Sequence, residues 1–128
     1  MIEFWLDSRS GVAPYLQVVQ QVRHAFRLGL LREGDQLPTV KDVVASLAIN
    51  PNTVLKAYRE LEHQGLVEPR PGVGTFVTRS LPDGVIEAYV PLRRELEVWL
   101  AKARRAGLDD ESIEALVAST FRAEQDVA

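Results

Sequence analysis

The chain has 128 residues, of which 46% are hydrophobic and 26% charged, with a net charge of −3; these values are typical of one ordinary domain or two small ones. The absence of cysteine excludes a disulfide framework and a thiolate metal site. No apolar run approaches the roughly 18–20 residues of a membrane span and the start lacks a signal-peptide pattern, so we expect a cytoplasmic protein.

The charges are unevenly distributed along the chain. Residues 1–80 contain nine basic and eight acidic side chains, whereas residues 81–128 contain six basic and ten acidic ones. The excess of acid therefore lies in the second part. The net negative charge of the chain therefore does not exclude an anionic partner for the first part. Whether residues 1–80 can bind such a partner depends on which face of this part carries the cations.

The first predicted elements are an arm and a helix. Residues 2–6, IEFWL, predict a short strand or a packing arm, which the breaker SRSG ends. Pro14 suits the first position of a helix, where a missing N–H costs nothing. From Tyr15 to Leu31, apolar residues recur at spacings of three and four, which predicts an amphipathic helix. Its buried face would consist of Val18, Val19, Val22, Phe26 and Leu30.

Two short helices are predicted next, joined by only a few residues. Thr39 suits the N-cap of the first, and Asn50 and Pro51 suit the N-cap and first position of the second. Gly65 suits the left-handed position that ends the second helix. The expected inward residues are Val40, Val43, Val44 and Leu47 in the first, and Val54, Ala57, Tyr58 and Leu61 in the second.

The runs LVEP and TFVTR, separated by RPGVG, predict a β-hairpin. Two tightly joined helices followed by a hairpin are the parts of a winged helix-turn-helix. The punctuation SLPDG places the expected domain boundary, so residues 1–80 form the first domain and residues 81–128 the second. The predicted fold is mainly α-helical with one small hairpin.

Two further helices are predicted in residues 81–128. Pro91 either starts or kinks the first of them, Gly107 ends it and Asp109 caps the second. Apolar stripes on a two-helix appendage need a cover, which predicts a homodimer. The residues of the second helix are expected on its inward face. The expected interface residues of both helices are Leu92, Leu96, Trp99, Leu100, Ile113, Leu116, Val117 and Phe121.

The N-terminal residues of the third helix are candidates for DNA contact. In a helix-turn-helix such residues reach base edges in the major groove, and asparagine, threonine and lysine all suit that role. Asn50 is first of all a helix cap. Thr53, in the first turn of the helix, fits a structural role as well as a contact with DNA. Arg59 also has an alternative role, an ion pair with Glu62.

The stretch LPTVKDVVASLAINPNTVLKAYRELEHQGLVEPRPGVGTFV resembles the DNA-binding domain of the GntR family of bacterial transcription regulators. The parts NPNTV, AYRELE and GVGTFV resemble its YtrA-type members in particular. The resemblance implies an N-terminal winged helix-turn-helix with a short C-terminal two-helix dimerisation region. It also implies a repressor of its own operon and a nearby ABC-transporter operon, which reads a palindromic operator.

The resemblance assigns roles to single positions. Lys41 stands where the family usually has an arginine that contacts DNA, and Asn52 and Thr53 fall at the start of the recognition helix. Gly72 matches the wing-tip glycine that approaches the minor groove. The predicted DNA-binding residues are Thr39, Lys41, Asn50, Asn52, Thr53, Lys56, Arg59, Arg70 and Gly72.

Two other classes of function compete with DNA binding. A winged-helix module that binds proteins without DNA affinity fits the acidic pI of about 5.4. A small enzyme would need a catalytic set, and neither a Ser/His/Asp nor a Cys/His set is recognisable. His24 and His63 are far apart in the sequence, so we expect no metal site and no cofactor. The sequence leaves open whether a small-molecule effector acts on the C-terminal region.

Overall fold

The structure, a computed structural model, describes residues 2–127. In this part of the chain five helices and one hairpin follow one another: α1 (Pro14–Arg27), α2 (Val40–Leu47), α3 (Pro51–His63), β1 (Val67–Arg70), β2 (Gly74–Val77), α4 (Asp83–Arg105) and α5 (Asp110–Val127). They divide into two compact units, Met1–Ile86 and Glu87–Ala128. The predicted fold class, mainly helical with a winged helix-turn-helix, is confirmed. Within residues 2–127 no helix has the length and apolarity needed to cross a membrane.

Side-chain caps start three of the helices where the sequence predicted them. The Thr39 hydroxyl accepts a hydrogen bond from the amide of Asp42 at 3.1 Å, and the Asn50 side-chain oxygen accepts one from the amide of Asn52 at 2.8 Å. The Asp109 carboxylate accepts one from the amide three residues on at 2.8 Å. Each bond satisfies an amide with no partner inside the helix, and such a cap contributes about 1 kcal/mol.

The core of the first unit lies between α1, α2, α3 and the hairpin. The predicted inward face of α3 is buried throughout, and Val43 is the buried residue of α2, with its other inward residues half-buried against the core. The largest fully buried side chains are Leu37, Leu61, Val18, Val22 and Val54. The recognition-helix candidate therefore presents only its opposite face to solvent.

Helix α1 ends four residues earlier than predicted. Gly29 has a φ of +73°, and the amide of Leu30 turns back to the carbonyl of Ala25 at 2.8 Å, as in a left-handed helix stop. The reversal leaves Leu30 65% exposed and puts Leu31 into the core instead. The prediction that Leu30 is buried is therefore wrong. The prediction failed because the apolar spacing of α1 continues past Gly29, the glycine at which the helix ends.

The N-terminal arm is a packing arm and not a strand. Phe4 is buried in the core of the first unit. The side-chain oxygen of Gln21 accepts a bond from the amide of Trp5 at 3.1 Å, and its NH₂ group donates to the carbonyl of Trp5 at 2.8 Å. One buried glutamine thereby pairs both backbone groups of an arm residue, which removes the need for a strand partner.

A short segment before α2 lines up beside β2. The amide of Leu37 donates to the carbonyl of Thr75 at 2.9 Å, and the amide of Val77 donates to the carbonyl of Asp35 at 2.8 Å. Within the hairpin itself, Val67 lies opposite Val77 and Arg70 opposite Gly74. The start of α2 and the hairpin are therefore held by the same few residues.

The second unit answers one question that the sequence left open and departs from the prediction at one point. Pro91 lies inside α4, which begins at Asp83, so Pro91 does not start this helix. Leu116, Val117 and Phe121 are exposed in the chain, whereas Ile113 is buried. Over the described residues α4 and α5 make little contact with each other, which is why the predicted inside of α5 lacks a cover.

Replacing Tyr58 by phenylalanine should destabilise the first unit by about 1–2 kcal/mol, because the buried Tyr58 hydroxyl donates to the Pro38 carbonyl at 2.5 Å. Burial first, and then the nearby Asp42 carboxylate, raise the pKa of Tyr58 well above its usual value. The folded state keeps the proton longer than the unfolded state, so stability present below about pH 10 is lost as pH rises further. Urea unfolding at neutral and alkaline pH should show a shallower alkaline loss in Tyr58→Phe. Tyr89→Phe is the matched control, and equal alkaline slopes in all three proteins would contradict the assignment.

Candidate nucleic-acid interface

The first turn of α3 presents polar side chains to solvent. Asn52 is exposed and Thr53 is half-buried. The Asn50 oxygen caps the helix, so only its NH₂ group remains to act as a donor. A helix N-terminus also carries free amides and a positive dipole end, both of which favour a phosphate. This turn can therefore offer a phosphate contact together with one amide side chain for a base edge.

Lys56 lies one turn further along α3, beside the start of α1. Its ammonium nitrogen is 4.0 Å from the centroid of the Tyr15 ring, the geometry of a cation–π contact. Lys56 is exposed and Tyr15 half-buried. The contact restricts the lysine and places the first turn of α1 next to the exposed face of α3.

Arg59 is exposed on the same helix. No ion pair between Arg59 and Glu62 occurs within the described part of the chain, although both share the same turn of α3. The guanidinium therefore keeps its five donors available to solvent or to a ligand.

The start of α2 carries the next cation of this surface. Thr39 and Lys41 are both exposed, and Lys41 is the second residue of the helix. The carbonyl of Pro38, directly before the cap, accepts the hydrogen bond from Tyr58 of α3. That buried bond fixes the start of α2 against the middle of α3, and with it the relative position of Lys41 and the recognition-helix candidate.

A hydrogen bond from the Gln36 side chain stabilises the wing turn. Gly72 lies in the turn with a φ of +75°, a conformation that glycine adopts without steric cost. The side-chain amide of Gln36 donates to the carbonyl of Val73 at 3.2 Å. A Cβ added to Gly74 would lie 2.4 Å from the Gln36 Nε2 atom, so only glycine permits this approach. The segment that ends at the cap of α2 therefore also fixes the wing.

Arg70 sits at the end of β1, next to the wing turn. Its guanidinium carbon lies 4.3 Å from the centroid of the Phe76 ring, and its Nη2 atom is 3.3 Å from the Glu68 Oε1 atom. Both partners of this ion pair are about half exposed, so the pair contributes little to stability. It instead holds the cation on the surface of the wing.

The predicted residues all lie on the first unit, at the start of α2, along α3 and on the hairpin, and together they are the candidate DNA surface. The start of α2, the exposed side of α3 and the wing are connected through residues 34–39 and Tyr58. In the described residues no group of three or more histidine, aspartate or glutamate side chains is arranged to hold a metal ion. The groups available on this surface are positively charged side chains and amide groups, both of which donate hydrogen bonds.

Sequence reasoning missed two residues of this surface, Tyr15 and Gln36. Tyr15 stood outside the apolar repeat of α1, and its contact with Lys56 exists only because α1 packs on α3. Gln36 looked like an ordinary turn residue. The pairing of residues 34–37 with β2 could not be read from local periodicity, although the neighbouring glycines Gly72 and Gly74 marked the partner.

Comparisons with known proteins identify the family of this chain. Residues 14–77 match the family described as "Bacterial regulatory proteins, gntR family". The HTH-type transcriptional repressor YtrA of Bacillus subtilis (strain 168) is 33% identical over 109 residues, which cover 84% of this chain and 84% of that protein. A transcriptional regulator from Oenococcus oeni has a similar structure, with a TM-score of 0.51, 32% identity, and coverage of 92% of this chain and 99% of that one.

A second similar structure was solved in complex with an operator. It is AraR(DBD) in complex with operator ORE1, which is 26% identical with a TM-score of 0.51 and covers 61% of this chain and 95% of that one. The matched proteins are named as transcription regulators and not as enzymes. The chain therefore belongs to the GntR family of bacterial transcription regulators and is of the YtrA type.

Proposed function

We propose that this chain is a cytoplasmic homodimeric repressor that binds a palindromic operator and controls its own operon and a nearby ABC-transporter operon. Residues 1–80 form the DNA-binding domain and residues 81–128 the dimerisation region. The proposal rests on one main observation. Hydrogen bonds within one unit hold the segment before Lys41 against α3 and hold the wing turn in place. The repressor YtrA, similar over most of both chains, supports the sign of regulation.

In this proposal each part of the surface has its own task. Asn52 and Lys56 read base edges from the major groove, and Thr53 with the free amides of α3 meets phosphate. Lys41 and Arg70 hold the DNA backbone on either side, and Gly72 lets the wing approach the minor groove. Thr39, Asn50 and Arg59 complete the surface. Phosphate contacts position the protein, whereas base contacts select the sequence.

The uncovered apolar faces of the second unit support the proposed dimer. Within the described residues only Ala103 and Ile113 are buried in α4 and α5. The exposed large apolar residues include Leu92, Leu96, Leu116, Val117 and Phe121. An apolar surface of this kind marks an interaction site, and Trp99 and Leu100 extend it as half-buried neighbours. A second copy would place two recognition helices on half-sites related by the two-fold axis.

The test is fluorescence anisotropy of the purified protein with its own upstream DNA and with a scrambled duplex, at two salt concentrations. We expect tighter binding to the upstream DNA, and a salt dependence that reports the number of phosphate contacts. Equally weak binding to both duplexes would reject this operator. If the protein bound neither duplex, the alternative function, a winged-helix module that binds proteins, would be favoured.

Replacing Gln36 by alanine should weaken operator binding by roughly 2- to 10-fold, the loss of one hydrogen bond, because the Val73 carbonyl loses its donor and the wing turn loosens. Gln36 is exposed, so the Tm should change little. Anisotropy measures the affinity, and hydroxyl-radical footprinting should lose protection in the minor groove only. The control is Gln20→Ala, an exposed glutamine of α1. A footprint identical to that of the wild type would show that Gln36 does not position the wing.

A further inference from the structure

Three arginines surround a small polar pocket on the first unit, away from the surface described above. Arg23 and Arg27 lie one turn apart on α1, and Arg79 follows β2. Phe26, Gln64 and Leu66 complete the lining, and the pocket volume is about 160 Å³. The Arg79 guanidinium carbon lies 5.7 Å from the centroid of the Phe26 ring. Two elements far apart in the sequence therefore direct cations to the same pocket.

Among the residues that the structure describes, these cations have no anionic partner. Within residues 2–127, none of the three arginines forms an ion pair or a side-chain hydrogen bond. The Gln64 amide donates to the Glu60 carboxylate at 2.9 Å, but Glu60 does not line the pocket. Like charges at positions i and i+4 of a helix repel each other, so an anion between the arginines would relieve a cost.

A solvated helix end explains only part of this arrangement. Arg27 lies in the last turn of α1, where a cation interacts favourably with the helix dipole. That interaction does not account for Arg23 one turn earlier, nor for Arg79 brought in from the other side of the pocket. Arginines that line one pocket are instead suited to an oxyanion, because each planar guanidinium group can bind it with two parallel N–H groups.

The pocket is distant from the first turn of α3 and from the wing tip, although Gln64 lies only about 8 Å along α3 from Arg59. Along α1, Arg23 and Arg27 lie about 12 and 18 Å from Tyr15, which contacts Lys56. Along α3, Gln64 lies about 18 Å from Asn52. In the hairpin, Arg79 and Gly72 are at opposite ends of β2, about 20 Å apart. The pocket therefore lies apart from Asn52 and Lys56, the side chains proposed to read base edges.

We propose that Arg23, Arg27 and Arg79 form a binding site for a small phosphate-bearing ligand. The pocket volume lies below the roughly 300–1,000 Å³ of sites for drug-sized molecules, which fits a phosphate or diphosphate group. Arg79 begins the segment that leads to α4, where the Ser80 hydroxyl accepts a bond from the Glu33 amide at 2.7 Å. A bound phosphate joins this segment to α1. The site is independent of the proposed operator binding and is testable without DNA.

The test is thermal unfolding of the full chain during titration with inorganic pyrophosphate, with sodium chloride adjusted to constant ionic strength. A ligand that binds only the folded state raises the Tm by about 5 °C at ten times its Kd, and the Tm then rises further with the logarithm of the ligand concentration. We expect the double variant Arg23→Gln/Arg79→Gln to lose this rise, with affinity reduced about 100-fold. Arg94→Gln/Arg122→Gln removes the same charge from exposed positions in α4 and α5 and should respond like the wild type.

Several results would overturn the proposal. They are a Tm that does not respond to pyrophosphate, a double variant that responds like the wild type, and a control variant that loses the response as well. Operator binding provides a separate check on the source of the phosphate. If Arg23→Gln/Arg79→Gln instead weakened operator binding and lowered its salt dependence, these arginines would contact DNA phosphates, and the small-ligand site would be rejected.

Discussion

Replacing Phe121 by aspartate should convert the proposed dimer into a monomer and weaken operator binding by at least about 100-fold. Phe121 is 62% exposed in the single chain, so the substitution removes little from the fold of α5. In a dimer, each buried phenylalanine lost costs about 3–5 kcal/mol, and two-fold symmetry counts the loss twice. A monomer then binds one half-site without the gain from a linked second site.

Sedimentation velocity at decreasing concentration measures the dissociation, and anisotropy measures the operator affinity. Ala115→Asp is the matched control, because it adds the same charge to an exposed position on the other side of α5. The control should remain dimeric. If Phe121→Asp still sedimented as a dimer at nanomolar concentration, the apolar face of α5 would not be the interface.

Replacing Lys41 by glutamate should weaken operator binding by roughly 100-fold without lowering the Tm. The substitution removes the proposed charge-assisted contact between Lys41 and a phosphate, worth about 1.5–3 kcal/mol, and adds repulsion. An acidic residue at the second position of α2 interacts favourably with the helix N-terminus, by about 0.3–1 kcal/mol. The stability and the DNA affinity should therefore change in opposite directions, which separates a contact from a folding defect.

Anisotropy at several salt concentrations tests this result, because one lost phosphate contact lowers the slope of log affinity against log salt by about 0.9. Arg94→Glu, an exposed charge reversal in α4, is the control and should change the affinity little. An unchanged affinity and slope in Lys41→Glu would remove the start of α2 from the proposed DNA surface.

Local signals predicted most of the first unit. The caps Thr39 and Asn50 start their helices as expected, and the period of α3 identified all four of its buried residues. These features depend on neighbours within one or two turns. The end of α1 was wrong because Gly29 competes with an apolar repeat that continues to Leu30. A left-handed residue ends a helix whatever pattern follows it.

The amino-acid sequence by itself determined the element order, the caps, the winged helix-turn-helix and the cations available for DNA, because each depends on local propensity and spacing. Only the tertiary structure decided which of these groups meet. The packing of α1 on α3 brings Tyr15 to Lys56 and leaves Arg23 with Arg79 around a separate pocket. The pairing of residues 34–37 with β2 lets Gln36 hold the wing. Such contacts join residues distant in the chain, and no local period encodes them.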